Sequence, residues 1–382
     1  MSTWRRGLLS VFMLTSSFAS AEARDISFSL GHPPGSIFAR GAETFARTLE
    51  EETGGLVKAR IFPMSLLTMA ETSAGIRDGL ADMGAVMVTY HPAEYPHTNF
   101  ILDSSLLVGG APGDTPVGAA YAAAVTEFIH TRCPECISEF LRQNQVFLGG
   151  AGSSRYALNC SKPISSAAEI GGARLRVGGA SWARWAGAVG ASPVTMAGDE
   201  TLQALSQGLI DCVVLSIPDI QTFGLVSAVK HITRDVPGGV YVASFANVNR
   251  DRWLAFTPQE KAAMVKGVAR GAAATSWAYH QDEQRVLDRF RQNGGQVYHS
   301  DQALLDLTEN FMEEDLAALA SIYEGRGVTR AAEMQKDFRE IIERWLVLTG
   351  GLTSEEELAD LYMSELFSKL DLTDALPSVN AQ

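Results

Sequence analysis

Residues 171–215, GGARLRVGGASWARWAGAVGASPVTMAGDETLQALSQGLIDCVVL, admit few folds. A short strand carrying Arg174 and Arg176 runs into Gly178-Gly179 and a helix. A second strand and helix follow, and Gly208 precedes a third apolar run from Cys212. Strands separated by helices build a parallel sheet, because each helix must carry the chain back to the starting edge. Side chains alternate along a strand, so the two arginines share one face. Arg176 falls at the C-terminal end, where open α/β sheets keep their ligand crevices. Gly178-Gly179 let the backbone approach a ligand closely, and the free N–H groups of the helix start near Ser181 favour an anion. A buried guanidinium needs an anionic partner. That partner is either a ligand carboxylate, held by two parallel hydrogen bonds, or an acid of the chain itself, Asp199 or Asp211.

The same alternation precedes this unit. Residues 25–30 (DISFSL) alternate as a strand, 31–35 (GHPPG) form a turn, and Ser36 opens a helix with Phe38, Ala42, Phe45 and Leu49 on one face. Residues 56–62 form a strand, 71–80 a helix and 81–88 a buried strand. The loop that follows, YHPAEYPHTNF, either lines a site with Tyr90 and Tyr95 or packs them on the body. Residues 146–148 read as a crossover strand and 240–247 (VYVASFAN) as a return. Beyond Thr257-Pro258-Gln259-Glu260, a helix start with proline at its first position, the chain reads as helical. Residues 354–370 form an acidic amphipathic helix.

At 382 residues the chain is long enough for two domains. Arg5 and Arg6 precede an apolar stretch, residues 7–18, and small-residue cleavage sites at Ala19-Ser20-Ala21 and Ala21-Glu22-Ala23. Residues 1–23 therefore read as a secretory signal peptide cleaved near residues 21–23, and the mature protein as exported. The net charge of −13, or −15 after removal of two arginines, makes a poor nucleic-acid partner. Four cysteines in an exported chain point to structural disulfides. Cys133 and Cys136 are spaced for a local bridge, leaving Cys160 and Cys212 for the second. A redox CxxC should open a helix, whereas this one follows a helix at residues 119–131. A zinc site on His130, Cys133 and Cys136 lacks a fourth ligand, so no metal is expected.

GxSxG, HExxH, Walker and GxGxxG patterns are absent from the sequence. No catalytic set and no cofactor is expected. Trp182, Trp185 and Val189 fall on one helical stripe, with Trp182 in the first turn nearest the crevice. Asp199 and Glu200 read as helix caps. Pro218-Asp219 begins a segment placed to rim the crevice.

These motifs resemble a known family. GHPPGSIFARGAETFARTLEEETGGLVKARIFP, GIRDGLADMGAV, SKPISSAAEIGGARLRVGG and GASPVTMAGDETLQALSQGLIDC are similar in order to segments of the extracytoplasmic solute-binding proteins of tripartite ATP-independent periplasmic (TRAP) transporters, the DctP type. Cys160 and Cys212 fit a cysteine-containing subgroup. The resemblance implies an α/β, two-lobed periplasmic binding protein with hinge strands and long C-terminal helices. Its first lobe would hold residues 24–149 plus 239–275. The second would hold 150–238 plus 276–382, including a helical extension. The resemblance assigns Arg176 to the substrate carboxylate, and a small and a large membrane permease subunit as partners. It makes His32, Ser36, Glu71, Tyr90, Tyr95, Tyr156, Trp182 and Asp219 pocket candidates. Two departures matter. Tyr156 stands where many members carry a second arginine, with Arg155 one residue off. Val213-Val214-Leu215-Ser216 replaces a polar turn, implying a more apolar pocket and a monocarboxylate with an apolar or aromatic body. The alternatives are an ABC-type receptor and a secreted enzyme on a two-lobe scaffold.

Overall fold

The computed structural model describes residues 23–109, 111–372 and 378–379. The segment read as a signal peptide lies outside the described residues except for Ala23. Nine strands among the described residues share one sheet: β1 (Arg24–Leu30), β2 (Val57–Pro63), β3 (Met83–Val86), β4 (Gln145–Cys160), β5 (Arg174–Val177), β6 (Ser192–Thr195), β7 (Cys212–Ser216), β8 (His231–Asn249) and β9 (Gln296–Tyr298). Their order is β2-β1-β3-β8-β4-β7-β5-β6, with β9 on β8.

Two parallel half-sheets stand at the ends of this order. β1 pairs in parallel with β2 and β3, and β5 with β6 and β7. The expected βαβαβ unit is therefore present. Between the halves run β4 and β8, antiparallel to each other, with 16 and 19 residues. β8 pairs with β3 near its C-terminal end, whereas β4 pairs with β7 near its own. These two strands are the crossovers of a two-lobed molecule. Their register shifts between Phe147 and Gly150 and again between Gly152 and Leu158, on the way from the stretch beside β3 to the stretch paired with β7.

The crossover expected at residues 146–148 proves far longer. The glycines of GGAG look like strand breakers, but here they serve packing. A Cβ on Gly152 would lie 2.1 Å from Gly118 O, and one on Gly118 would lie 1.9 Å from Ser153 O. Helix Val117–Thr131 thus sits backbone-to-backbone on β4, a contact only glycine permits.

Helix Pro258–Gln292 begins as expected, with Thr257 and Glu260 in a capping box and proline in the first turn. Its 35 residues reach roughly 50 Å at the α-helical rise, enough to flank both lobes. Helix Gln302–Glu324 is a second strut. Its Asp315 takes Arg184 of helix Ala180–Ala188 at 2.6 Å, and Arg184 also meets Asp103 of helix Pro96–Asp103 at 3.1 Å. Tyr323 donates to the same Asp103 at 2.7 Å. The acidic C-terminal helix spans Glu355–Glu365, shorter than the sequence pattern. Sequence placed residues 276–382 with the second lobe, yet helix Ala331–Thr349 packs on helix Val117–Thr131 of the first. Phe338 lies 5.5 Å from Tyr121 and 5.4 Å from Phe128.

Both disulfides are present, Cys133–Cys136 and Cys160–Cys212. The first corrects one detail. Cys133 is the N-cap of helix Pro134–Arg142, so the CxxC does open a helix as well as follow one. Both of its sulfurs belong to fully buried residues, whereas redox-active cysteines need access.

Candidate ligand-binding site

Strand C-terminal ends from both half-sheets converge on one small cavity of about 30 Å³. β1 leads to His32, β3 to Met87 and Tyr90, β5 to Gly178, β6 to Gly198 and β7 to Asp219, and all of these line it. Two parallel sheets facing each other by their C-terminal ends make a crevice at the junction.

Arg176 is 1% exposed and lies at one end of this cavity. Its Nε and Nη2 donate to Met196 O at 3.0 and 2.8 Å, and Nη2 also donates to Tyr90 Oη at 3.1 Å. Each partner is neutral. Among the described residues no carboxylate lies within ion-pair distance of the guanidinium. Asp211 is engaged by Arg174 at 3.1 Å and Lys162 at 3.3 Å. Burial alone would raise the Asp211 carboxyl, but these hydrogen bonds hold it down at about 2. Asp199 forms no ion pair with Arg176, and burial raises its pKa. Neither acid pairs directly with Arg176, although Asp199 and Asp219 feel its charge from beyond ion-pair distance, which leaves a buried cation with neutral hydrogen-bond partners facing a cavity. Gly178 keeps that face open, since a Cβ there would fall 3.1 Å from Nη2 and 3.3 Å from Nη1.

Aromatic rings form the walls. Tyr156, with Tyr241 parallel to it at 6.4 Å, lies on one side, and Phe38 and Phe223 on another. Met69, Met87 and Leu215 fill the gaps. His32 stacks on Phe38 at 4.3 Å, and burial pushes its imidazole down to about 3, so the ring is neutral. Its Nδ1 has no hydrogen-bond partner. Asp219 accepts from Ser216 Oγ at 2.6 Å and Tyr279 Oη at 2.8 Å; burial raises its pKa against the pull of these bonds.

The lobes meet across the cavity. Tyr90, from the first lobe, accepts from Gly198 N at 3.0 Å as well as from Arg176. Thr89 donates to Gly178 O at 3.0 Å. These bonds join the two sides of the cavity.

Of the residues expected at the pocket, Arg176, Tyr156, His32, Tyr90 and Asp219 line the cavity. The others do not. Trp182 stands behind Tyr156, stacked at 4.3 Å, with its indole N–H on Gly238 O. Ser36 caps helix Ile37–Glu52 by accepting from Ala39 N. Glu71 folds back onto Thr68, accepting from its amide and hydroxyl at 3.0 and 2.8 Å, and those bonds hold its carboxyl low. Tyr95 is fully buried against Phe140, bonded to Ser73 at 2.8 Å. Phe38, Tyr241 and Tyr279 escaped the sequence reading because each occupies an apolar position of a periodic element. Only the meeting of lobes gives such positions a cavity to face.

A larger cavity, about 300 Å³, is lined by Arg155, Arg234, His280 and Glu283. Strand alternation explains it: Tyr156 points into the crevice and Arg155 to the opposite face, where it donates to Ala111 O at 2.7 Å. Its arginines are not isolated cations, since Glu283 lies between them, 3.9 Å from Arg234. The smaller cavity, where the buried cation has no ion-pair partner among the described residues, is the stronger candidate.

His32 has a measurable consequence. The unfolded chain takes up a proton near pH 6.5 that the folded state refuses until about 3, so U binds more protons and stability falls as pH falls through that window. Between about pH 6.5 and pH 4.5 the loss from this residue alone is about 2 kcal/mol. Urea denaturation at both pH values should show His32→Gln losing that much less than the parent; equal losses would refute the assignment.

A model of the bacterial extracellular solute-binding proteins of family 7, DctP, matches residues 28–321. Solved structures agree in fold. A TRAP solute-binding protein from a marine metagenome, specific for pyroglutamate, is 16% identical at TM-score 0.71, covering 84% of this chain and 99% of its own. A TRAP periplasmic solute-binding protein of Bordetella bronchiseptica with bound (R)- and (S)-mandelate is 22% identical at TM-score 0.70, with coverages of 84% and 99%. One from Rhodoferax ferrireducens with copurified benzoate is 16% identical at TM-score 0.71, with coverages of 85% and 99%. With its two lobes, strand-end crevice and matched sequence, the chain belongs to the DctP family of bacterial extracellular solute-binding proteins.

Proposed function

We propose that this protein is the periplasmic receptor of a TRAP transporter, binding a small organic acid on Arg176 and delivering it to the small and large membrane permease subunits. The observation that carries the reading is a fully buried guanidinium with only neutral partners, facing a closed cavity. A ligand carboxylate supplies the missing charge, and its two oxygens match the guanidinium fork. Closure excludes water and strengthens that pair in the low-dielectric interior. A cavity of about 30 Å³ is smaller than an aromatic acid, so the acid enters with the lobes apart, and its binding shifts the population toward a state in which they close around it near Tyr90 and Thr89.

The aromatic and thioether lining favours a monocarboxylate with an aromatic or apolar body. The carboxylates held by the marine, Bordetella and Rhodoferax proteins are of this size and charge. The moving units in this reading are built on residues 24–149 and 150–238, hinged at β4 and β8. A thermal-shift screen of organic acids on the mature protein, with mass spectrometry of copurified ligand, tests the proposal. Stabilisation by aromatic monocarboxylates is expected. Stabilisation by neutral sugars or amines alone would defeat it.

A further inference from the structure

We propose that Asp219 is a second, specificity-determining pole of the cavity, selecting acids that also carry a hydrogen-bond donor, a hydroxyl or amide N–H, apart from the carboxylate. This inference rests on the carboxylate reading of Arg176 and adds the chemistry of the ligand's other end.

The cavity offers polar groups of opposite kinds. Arg176 can only donate, and Asp219 as a carboxylate can only accept. Asp219 is 5% exposed and lines the same space, yet it forms no ion pair with Arg176. Ser216 holds Oδ2 and Tyr279 holds Oδ1, and Thr222 is a third hydrogen-bond partner of the carboxyl. A carboxylate has about four acceptor positions, so about one is left for a ligand donor. The Ser216 and Tyr279 hydroxyls are themselves fixed. Ser216 is fully buried at the end of β7, and Tyr279 is 2% exposed in the long helix. The carboxyl is thus oriented by its neighbours and does not swing toward the arginine.

A second polar position remains unmatched. His32 is 4% exposed, lines the cavity, and has no partner for Nδ1. Between these poles the walls are aromatic or apolar apart from Ser153, whose hydroxyl donates to Ser154 O and accepts from Tyr241 N. A plain aromatic acid would satisfy Arg176 and leave the far pole facing a hydrocarbon, which buried polar groups resist. Sites built to bond a ligand hydroxyl reject analogues that lack it far more strongly than apolar pockets reject a missing methylene.

Calorimetry on matched pairs tests the idea: mandelate against phenylacetate, 3-hydroxybenzoate against benzoate, and pyroglutamate against cyclopentanecarboxylate. In the parent protein at least one donor-bearing member should bind more than about tenfold tighter than its partner. Asp219→Ala, checked for a cooperative thermal transition, should reduce that preference to less than about threefold, and Asp219→Asn, which keeps one acceptor oxygen, should fall between it and the parent. Equal affinities within every pair, or a preference retained in a folded Asp219→Ala protein, would overturn the proposal while leaving the carboxylate reading intact. Affinities unaffected by Arg176→Met would instead overturn the carboxylate reading, and this inference with it.

Discussion

Replacing Arg176 by methionine is expected to weaken carboxylate binding by more than about thirtyfold while leaving the ligand-free protein at least as stable. The two halves of this result have one cause. The guanidinium is buried on Met196 O and Tyr90 Oη, with no acid within ion-pair distance. Its desolvation is only partly offset by neutral acceptors, and well-packed apolar replacements of buried charges are often neutral or stabilising by about 1–4 kcal/mol. Methionine follows the same straight path and fills most of the volume. The ligand's carboxylate, by contrast, would enter a water-poor cavity without its counter-charge. Losing one partner of a buried, hydrogen-bonded charge pair costs about 2–5 kcal/mol, or about one and a half to three and a half decades in affinity. Arg176→Lys keeps the charge but not the fork, so its affinity should fall between the two. Calorimetry against the tightest acid from the screen, with ligand-free thermal melts, measures both halves. Undiminished affinity in a folded methionine variant would refute the role. A collapse of the ligand-free melting temperature would show that the arginine holds the fold.

Arg176 was legible because its position combines two local facts, the alternation of a short strand and a glycine pair at its C-terminal end. Tyr156 was legible from its offset against Arg155, and the structure gives the same reason in space, since the two side chains leave opposite faces of β4. The half-sheets were also readable, because alternating strands and helices dictate parallel pairing. What the sequence concealed lies where the halves meet. β4 and β8 run through the molecule, but the glycines of residues 149–152 look like a break unless the helix resting on them is known. Phe38, Tyr241 and Tyr279 carry the same apolar signal as any core residue. Periodicity reports that a face is buried, not whether a neighbouring element or a ligand buries it. Ser36 and Glu71 stand outside the cavity for a related reason: polar groups at helix starts satisfy the nearby backbone first.

Removing the Cys160–Cys212 bridge should cost about 4 kcal/mol, and removing Cys133–Cys136 only about half as much. The difference follows from the chain each one closes, with sequence separations of 52 and 3. A longer loop denies the unfolded chain more freedom. The long bridge also lies on the strand pair that leads to the cavity. Cys160 faces Cys212 directly in the β4–β7 register, and four residue pairs further along Tyr156 faces Ser216. Tyr156 is a wall of the cavity, and Ser216 holds Asp219. The bridge therefore fixes the loop containing β5 and Arg176 to the crossover strand on which that wall is built. The ladder from Tyr156 to Cys160 keeps the register by itself, so binding should survive within a few-fold in Cys160→Ala/Cys212→Ala even as stability falls. Urea denaturation of the two double alanine variants, with and without dithiothreitol, separates the contributions. Dithiothreitol should then lower the stability of Cys133→Ala/Cys136→Ala by about 4 kcal/mol and of Cys160→Ala/Cys212→Ala by about 2 kcal/mol. Equal losses from the two bridges would show that native-state packing around the cysteines, rather than the closed loop, sets the energetics of this lobe.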